Sequence, residues 1–130
     1  MQNSLGAVGT RLGETYENVT LLYADIVGFT KFSSSHSSRE VVEMLSRLFI
    51  NFDIECQNLD LFKIYTIGDC YVVMGFTDKN NRKDPSQEAY NVVKLGIKMI
   101  DIIQKVRKNL RIDLNMRIGV HTVRKSLNAN

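Results

Sequence analysis

A chain of 130 residues that is 44% hydrophobic and 24% charged has the composition of one globular domain and excludes a disordered tail. At this length folding hides roughly two thirds of the unfolded surface, so stability requires neither a disulfide nor a structural metal. A formal net charge of +3, with one modest cluster at Lys105, Arg107, Lys108 and Arg111, excludes a nucleic-acid footprint, and no apolar run reaches the ~18 residues of a membrane span.

Met1 to Tyr16 contains Gly6, Gly9 and Gly13 with little apolar periodicity and lacks the pattern of a signal peptide, so residues 1–16 are expected to be a flexible lead-in. The fold is expected to begin near Glu17. Val19 to Val27 is β-branched and apolar on both parities, which predicts a strand covered on both faces or central in its sheet, ended by Gly28. Ser33 to Ser38 is polar. Ser37 and Glu40 then form a capping box for a helix whose apolar residues Val41, Leu45, Leu48, Phe49 and Phe52 recur at helical spacing to about Cys56.

Leu59 to Ile67 and Cys70 to Phe76 are apolar, β-rich runs around Gly68-Asp69, which predicts a tight hairpin. Thr77 to Lys83 is polar and expected to be a loop. Asp84 is expected to be the N-cap of the next helix, with Pro85 at its first position and Gln87 reaching back. Val92, Val93, Gly96, Met99, Ile100, Ile103 and Val106 mark one face of that helix. From Ile112 to His121, apolar and polar residues alternate strictly, as in a strand with one buried face.

The order strand, helix, strand, strand, helix, strand predicts an α+β fold of the ferredoxin-like, split βαβ kind: a four-stranded antiparallel sheet with helices on one face. Cys56 and Cys70 sit among apolar residues with no metal-ligand spacing around them, and are expected to be buried free thiols in a reducing compartment.

Asp25 is the first chemical anomaly, because a carboxylate inside a core strand is costly unless it is paired or bound to a metal. Structure and function weigh equally for Asp25 alone. For Asp69, Gly-Asp is ordinary hairpin chemistry. Gly28 permits a sharp turn whose amides could cradle phosphate, and is equally compatible with a plain loop.

Three segments resemble the class III nucleotidyl cyclases, the family of adenylyl and guanylyl cyclases. They are Tyr23-Ala24-Asp25-Ile26-Val27-Gly28-Phe29-Thr30, Tyr65-Thr66-Ile67-Gly68-Asp69-Cys70-Tyr71, and Leu114-Asn115-Met116-Arg117-Ile118-Gly119-Val120-His121-Thr122. The resemblance covers Asn18 to about Thr122. It implies that Asp25 and Asp69, with the Ile26 carbonyl, hold two hard divalent cations, Mg²⁺ or Mn²⁺. It further implies that the Gly28, Phe29 and Thr30 amides and Arg117 contact the phosphates of a nucleoside triphosphate, GTP in preference to ATP. For Arg117 the alternative is a solvated strand charge.

Two departures from the family bear on function. Tyr65 stands where adenylyl cyclases often have lysine and guanylyl cyclases glutamate, and a phenol supplies neither that donor nor that acceptor, so this half is not expected to select the base. Val123 stands where a glycine is usual, and residues 123–130 are expected to be a tail unrelated to the family, leaving a partial domain over 17–122. Family residues for the ribose and the transition state lie beyond that point. The chain thus resembles the metal-binding half of a paired cyclase, closest to protozoan guanylyl cyclases, and is expected to be inactive alone and to need a second cyclase domain as homo- or heterodimer partner. It is expected in the cytoplasm or on the cytosolic face of a larger membrane protein. The rivals are another two-metal domain, such as a diguanylate cyclase or polymerase palm, whose acidic turn is absent, and a non-catalytic piece that pairs with and regulates a partner.

Overall fold

The computed structural model describes residues 15–124 and 127–128. Most of the expected lead-in and half of the expected tail lie outside the described residues. Within those segments β1 (Thr15–Tyr16) pairs antiparallel with β6 (Leu127–Asn128), so each contributes a short strand that residue patterns did not suggest.

The main sheet has four strands: β2 (Val19–Ile26), β3 (Phe62–Ile67), β4 (Cys70–Met74) and β5 (Met116–Val123), in the order β3-β4-β2-β5 with every pairing antiparallel. The predicted α+β sheet is therefore present, with β2 at its interior. Its strands are shorter than expected at Leu59, Val27 and Phe76, and β5 starts at Met116 rather than Ile112 but extends through Val123, which pairs with Val19.

Three helices accompany the sheet: α1 (Phe29–Ser35), α2 (Ser38–Asn58) and α3 (Pro85–Leu110). The core is formed between one sheet face and α2 and α3. Leu22, Ala24 and Ile26 of β2 and Tyr71 and Val73 of β4 meet Met44, Leu48, Phe52 and Cys56 of α2 and Val92, Leu95, Met99 and Ile103 of α3. Gly96 lets α3 approach closely, since an added Cβ would stand 3.5 Å from Leu22 and 3.7 Å from Ile118.

Ser37 caps α2 as predicted: its side chain accepts from the Glu40 amide at 3.1 Å, and Glu40 Oε1 accepts from the Ser37 amide at 2.9 Å. Replacing Ser37 by alanine is expected to cost about 1 kcal/mol, measurable as a lower denaturant midpoint with unchanged slope. Asp84 caps α3 by accepting from Ser86, but Gln87 donates forward to Asn91 at 3.0 Å instead of reaching back. The Thr77 to Lys83 loop contains one 3₁₀ turn, Lys79–Asn81.

A second, smaller apolar cluster lies on the other sheet face, where Val19, Met74 and Phe76 pack with Leu21, Phe62 and Ile64. That face carries no helix among the described residues. Tyr23, Val27 and Val120 are more than 40% exposed, as are Val93, Ile97 and Ile100 of α3. Apolar surface is thus exposed on α3, on the rim strand β5 and on the uncovered sheet face.

Candidate active site

Alternation along β2 decides where Asp25 points. Leu22, Ala24 and Ile26 face the helices, so Leu21, Tyr23 and Asp25 face the opposite side. The Asp25 side chain is 43% exposed, which corrects the expectation of a carboxylate set in the core. Apolar residues fill both parities because the uncovered face has its own apolar cluster at its far end, not because Asp25 is enclosed.

Three strands bring their chemistry to one row. Asp25 is paired in register with Cys70 on one side and Arg117 on the other. Gly68, at φ 54°, begins the two-residue loop between β3 and β4 and permits the reversal that sets Asp69 beside Cys70. The reversal leaves Asp69 close enough to Asp25 for the two carboxyls to act on each other electrostatically. Arg117 Nη2 stands 3.8 Å from Asp25 Oδ2, with most of its side chain in solvent, so this pair holds the guanidinium loosely.

Partial burial raises the Asp69 carboxyl above the ordinary carboxylate range, and the neighbouring Asp25 carboxyl pushes the same way, against the pull of its own backbone amide. The Cys70 thiol is also raised, first by burial and then by the two aspartates, and stays protonated at neutral pH; it is half-buried rather than buried as expected. Cys56 is buried as expected, its thiol pushed up to about 11 chiefly by desolvation.

The donor set suits a hard cation. No cluster of three or more His, Cys, Asp or Glu side chains exists among the described residues, so a bound ion would take two carboxylate oxygens, a carbonyl such as that of Ile26, and oxygens from water or phosphate. Such a mixed set is what Mg²⁺ or Mn²⁺ accepts. The raised Asp69 value has a consequence for pH. Its folded-state pKa exceeds the unfolded one, so its contribution to stability is present below the unfolded value and is lost as pH rises through the raised folded value. Thermal unfolding across mildly acidic pH is therefore expected to show this loss without divalent cation, and a smaller one in Mn²⁺ if that cation takes the deprotonated carboxylates.

Beside the carboxylates, Gly28 adopts the left-handed conformation at φ 68° and ψ 30° and serves as N-cap of α1 without any side-chain cap. Phe32 makes the first helical bond, to the Gly28 carbonyl at 2.9 Å, so the amides of Phe29 and Thr30 precede the helical ladder. The turn is braced by a bond that sequence reading missed: Val27 donates to the Asn115 carbonyl at 2.9 Å, and Asn115 Oδ1 accepts from Arg107 at 3.3 Å. Asn115 gives no signal beyond a polar residue at the start of an alternating run. Tyr65 pairs with Val72, which pairs with Tyr23, so it lies on the same uncovered face one row from the carboxylates.

The profile of the family described as the adenylate and guanylate cyclase catalytic domain matches residues 12–124. The chain is 39% identical over 114 residues to guanylate cyclase alpha of Plasmodium falciparum, covering 85% of this chain and 3% of that protein. It is 39% identical over 110 residues to the membrane guanylyl cyclase of Dictyostelium discoideum, covering 84% of this chain and 7% of that one. Among solved structures, the guanylate cyclase domain of RhGC from Catenaria anguillulae in complex with GTP superposes with a TM-score of 0.73 at 26% identity, over 85% of this chain and 58% of that one. The chain thus spans under a tenth of either relative and little more than half of the solved domain.

Proposed function

This chain belongs to the adenylate and guanylate cyclase catalytic domain family, and on that premise we propose that it supplies the cation-holding part of a site that turns a nucleoside triphosphate into its 3′,5′-cyclic monophosphate and pyrophosphate. The observation that carries the reading is the register that sets Asp25 opposite Cys70, and so Asp69 at its side, beside the left-handed Gly28 turn. The Asp25 and Asp69 carboxylates and the Ile26 carbonyl would hold Mg²⁺ or Mn²⁺. Bound there, the cations lower the pKa of the ribose 3′-hydroxyl and neutralise charge on the triphosphate. The Gly28, Phe29 and Thr30 amides orient the phosphates, and the loosely held Arg117 swings from Asp25 to their terminal oxygens.

Tyr65 lacks the charge that reads a purine edge, so base selection falls to a second cyclase domain, as homo- or heterodimer partner, lying on the uncovered sheet face. GTP is favoured because both relatives above are named as guanylyl cyclases and the solved domain holds GTP. The same Tyr65 favours a second reading, in which this segment binds cation and nucleotide and regulates the partner without turnover of its own. No described helix is long and apolar enough to cross a membrane, and we place the domain in the cytosol or on the cytosolic side of a larger protein.

The test is to mix the chain with a complementary cyclase domain whose own metal carboxylates are replaced, add Mn²⁺ with GTP or ATP, and quantify cyclic product. Cyclic GMP in excess of cyclic AMP is expected. Complex formation without any product supports the regulatory reading instead.

A further inference from the structure

Asp53 lies on α2, outside the carboxylate row, yet both strands of the hairpin that carries Asp69 converge on it. From β4, the fully buried Tyr71 donates its hydroxyl to Asp53 Oδ1 at 2.5 Å. From β3, Lys63 Nζ reaches both carboxylate oxygens at 3.2 Å. The Tyr71 ring is fixed as well, edge-on to Phe52 with 5.3 Å between centroids, and Cys56 Sγ stands 3.4 Å from its hydroxyl.

Lys63 is also where β3 leaves regular pairing. Register passes from Lys63–Val73 to Tyr65–Val72, which makes Ile64 a bulge. Bulges bend a strand and re-aim its side chains. Here the bulge lets Lys63 stay on the helix side, bonded to Asp53, while Tyr65 emerges on the face of Asp25. The Asp53 side chain stays 45% exposed, so it accepts from both strands of the hairpin without being taken out of water.

We propose that Asp53 is a positioning residue for the divalent-cation site: by holding Lys63 of β3 and Tyr71 of β4 together on α2, it fixes the hairpin so that Asp69, two residues from Tyr71, meets Asp25. The proposal rests on the cation reading above. It is distinct from a general contribution to stability, because Arg82 anchors a different place, bonding Glu88 and the Glu17 and Asn18 carbonyls at the opposite end of β2.

Mn²⁺ binding to the purified chain, followed by electron paramagnetic resonance well below every unfolding transition, separates the two. Asp53→Ala is expected to weaken Mn²⁺ binding about 10-fold, the low end of what loss of a group bonded to a ligand costs, because Asp53 acts through the hairpin and not on a ligand itself. Asp53→Asn, which keeps an acceptor for Tyr71, should recover much of that loss, and Arg82→Met should lower the melting temperature with Mn²⁺ affinity unchanged. If Asp53→Ala does not fold, Tyr71→Phe, which removes one hydroxyl, takes its place in the comparison. Unchanged affinity in Asp53→Ala, where Asp69→Ala abolishes binding, overturns the proposal and leaves the cation reading standing. An equal loss in Arg82→Met also overturns it, since stability alone would then explain the effect. Binding that survives Asp69→Ala defeats the cation reading and this proposal together.

Discussion

Replacing Asp69 by alanine is expected to lower cyclic nucleotide formation, in the presence of a complementary cyclase domain and Mn²⁺, by about 10²- to 10³-fold. The size follows from what the carboxylate does in the proposed site. Removing one preorganised electrostatic group from a reaction centre typically costs that much, because charge developing in the transition state loses its fixed counterpart. Asp25→Ala should fall in the same range. The double variant should lose far less than the product of the two, because the aspartates share the same ions and act as a unit. Circular dichroism separates this from loss of the fold: the spectrum of Asp69→Ala should match that of the parent chain, since the residue sits in the two-residue loop between β3 and β4. A multiplicative double variant would mean that the two carboxylates serve separate steps.

The largest effect on stability is expected at Arg82. Glu88 is 1% exposed and accepts from Arg82 Nε at 3.2 Å, from Arg82 Nη2, and from the Lys83 amide at 3.1 Å. Arg82 also donates to the Glu17 carbonyl at 2.6 Å and stacks 4.1 Å from the centre of the Phe76 ring. Arg82→Met leaves Glu88 buried without its counter-charge. Breaking a buried pair in this way costs about 3–5 kcal/mol, which for a domain of this size lowers the melting temperature by roughly 10–20 °C. Adding Glu88→Met to Arg82→Met should restore part of the loss, because the orphaned charge goes with it. A drop of only a few degrees in the single variant would mean that water reaches Glu88.

The sequence announced the order of elements because each main element carries its own punctuation: Gly28 after β2, the Ser37–Glu40 box before α2, Gly68-Asp69 in the hairpin, and Asp84-Pro85 before α3. It did not reveal α1. Ser33, Ser34 and Ser35 read as loop residues, and in the fold their hydroxyls bond back to carbonyls one turn earlier, so the only apolar signal of the helix is the pair Phe29 and Phe32 that packs on the core. The side to which Asp25 points was hidden for a different reason. β2 has apolar residues on both parities, so only the pairing of Leu22 and Ala24 with the helix face settles it.

Long-range polar contacts were the least legible. Glu88 looks like any acidic residue in the first turn of a helix, yet its partner Arg82 ties α3 to carbonyls 64 and 65 positions earlier in the chain. The Ile64 bulge has no local signature, since the run from Phe62 to Ile67 is uniformly strand-like and only the register with β4 exposes the extra residue. In the site, the motifs named Asp25, Asp69, Gly28 and Arg117, and the fold brings all four to one end of the sheet. The brace from Val27 to Asn115 depends on backbone atoms, for which side-chain identity carries no information.

The measurement that bears most directly on the central claim is the binding of a ribose-labelled fluorescent GTP analogue to the parent chain and to Asp25→Ala and Asp69→Ala, each titrated with and without Mn²⁺. The account predicts that Mn²⁺ tightens binding to the parent chain and that either substitution removes this tightening, while the weaker cation-free binding stays as it was. Equal Mn²⁺-dependent tightening in all three proteins would contradict it, because the cation would then be held by the nucleotide alone and the meeting of Asp25 with Asp69 would have no part in it.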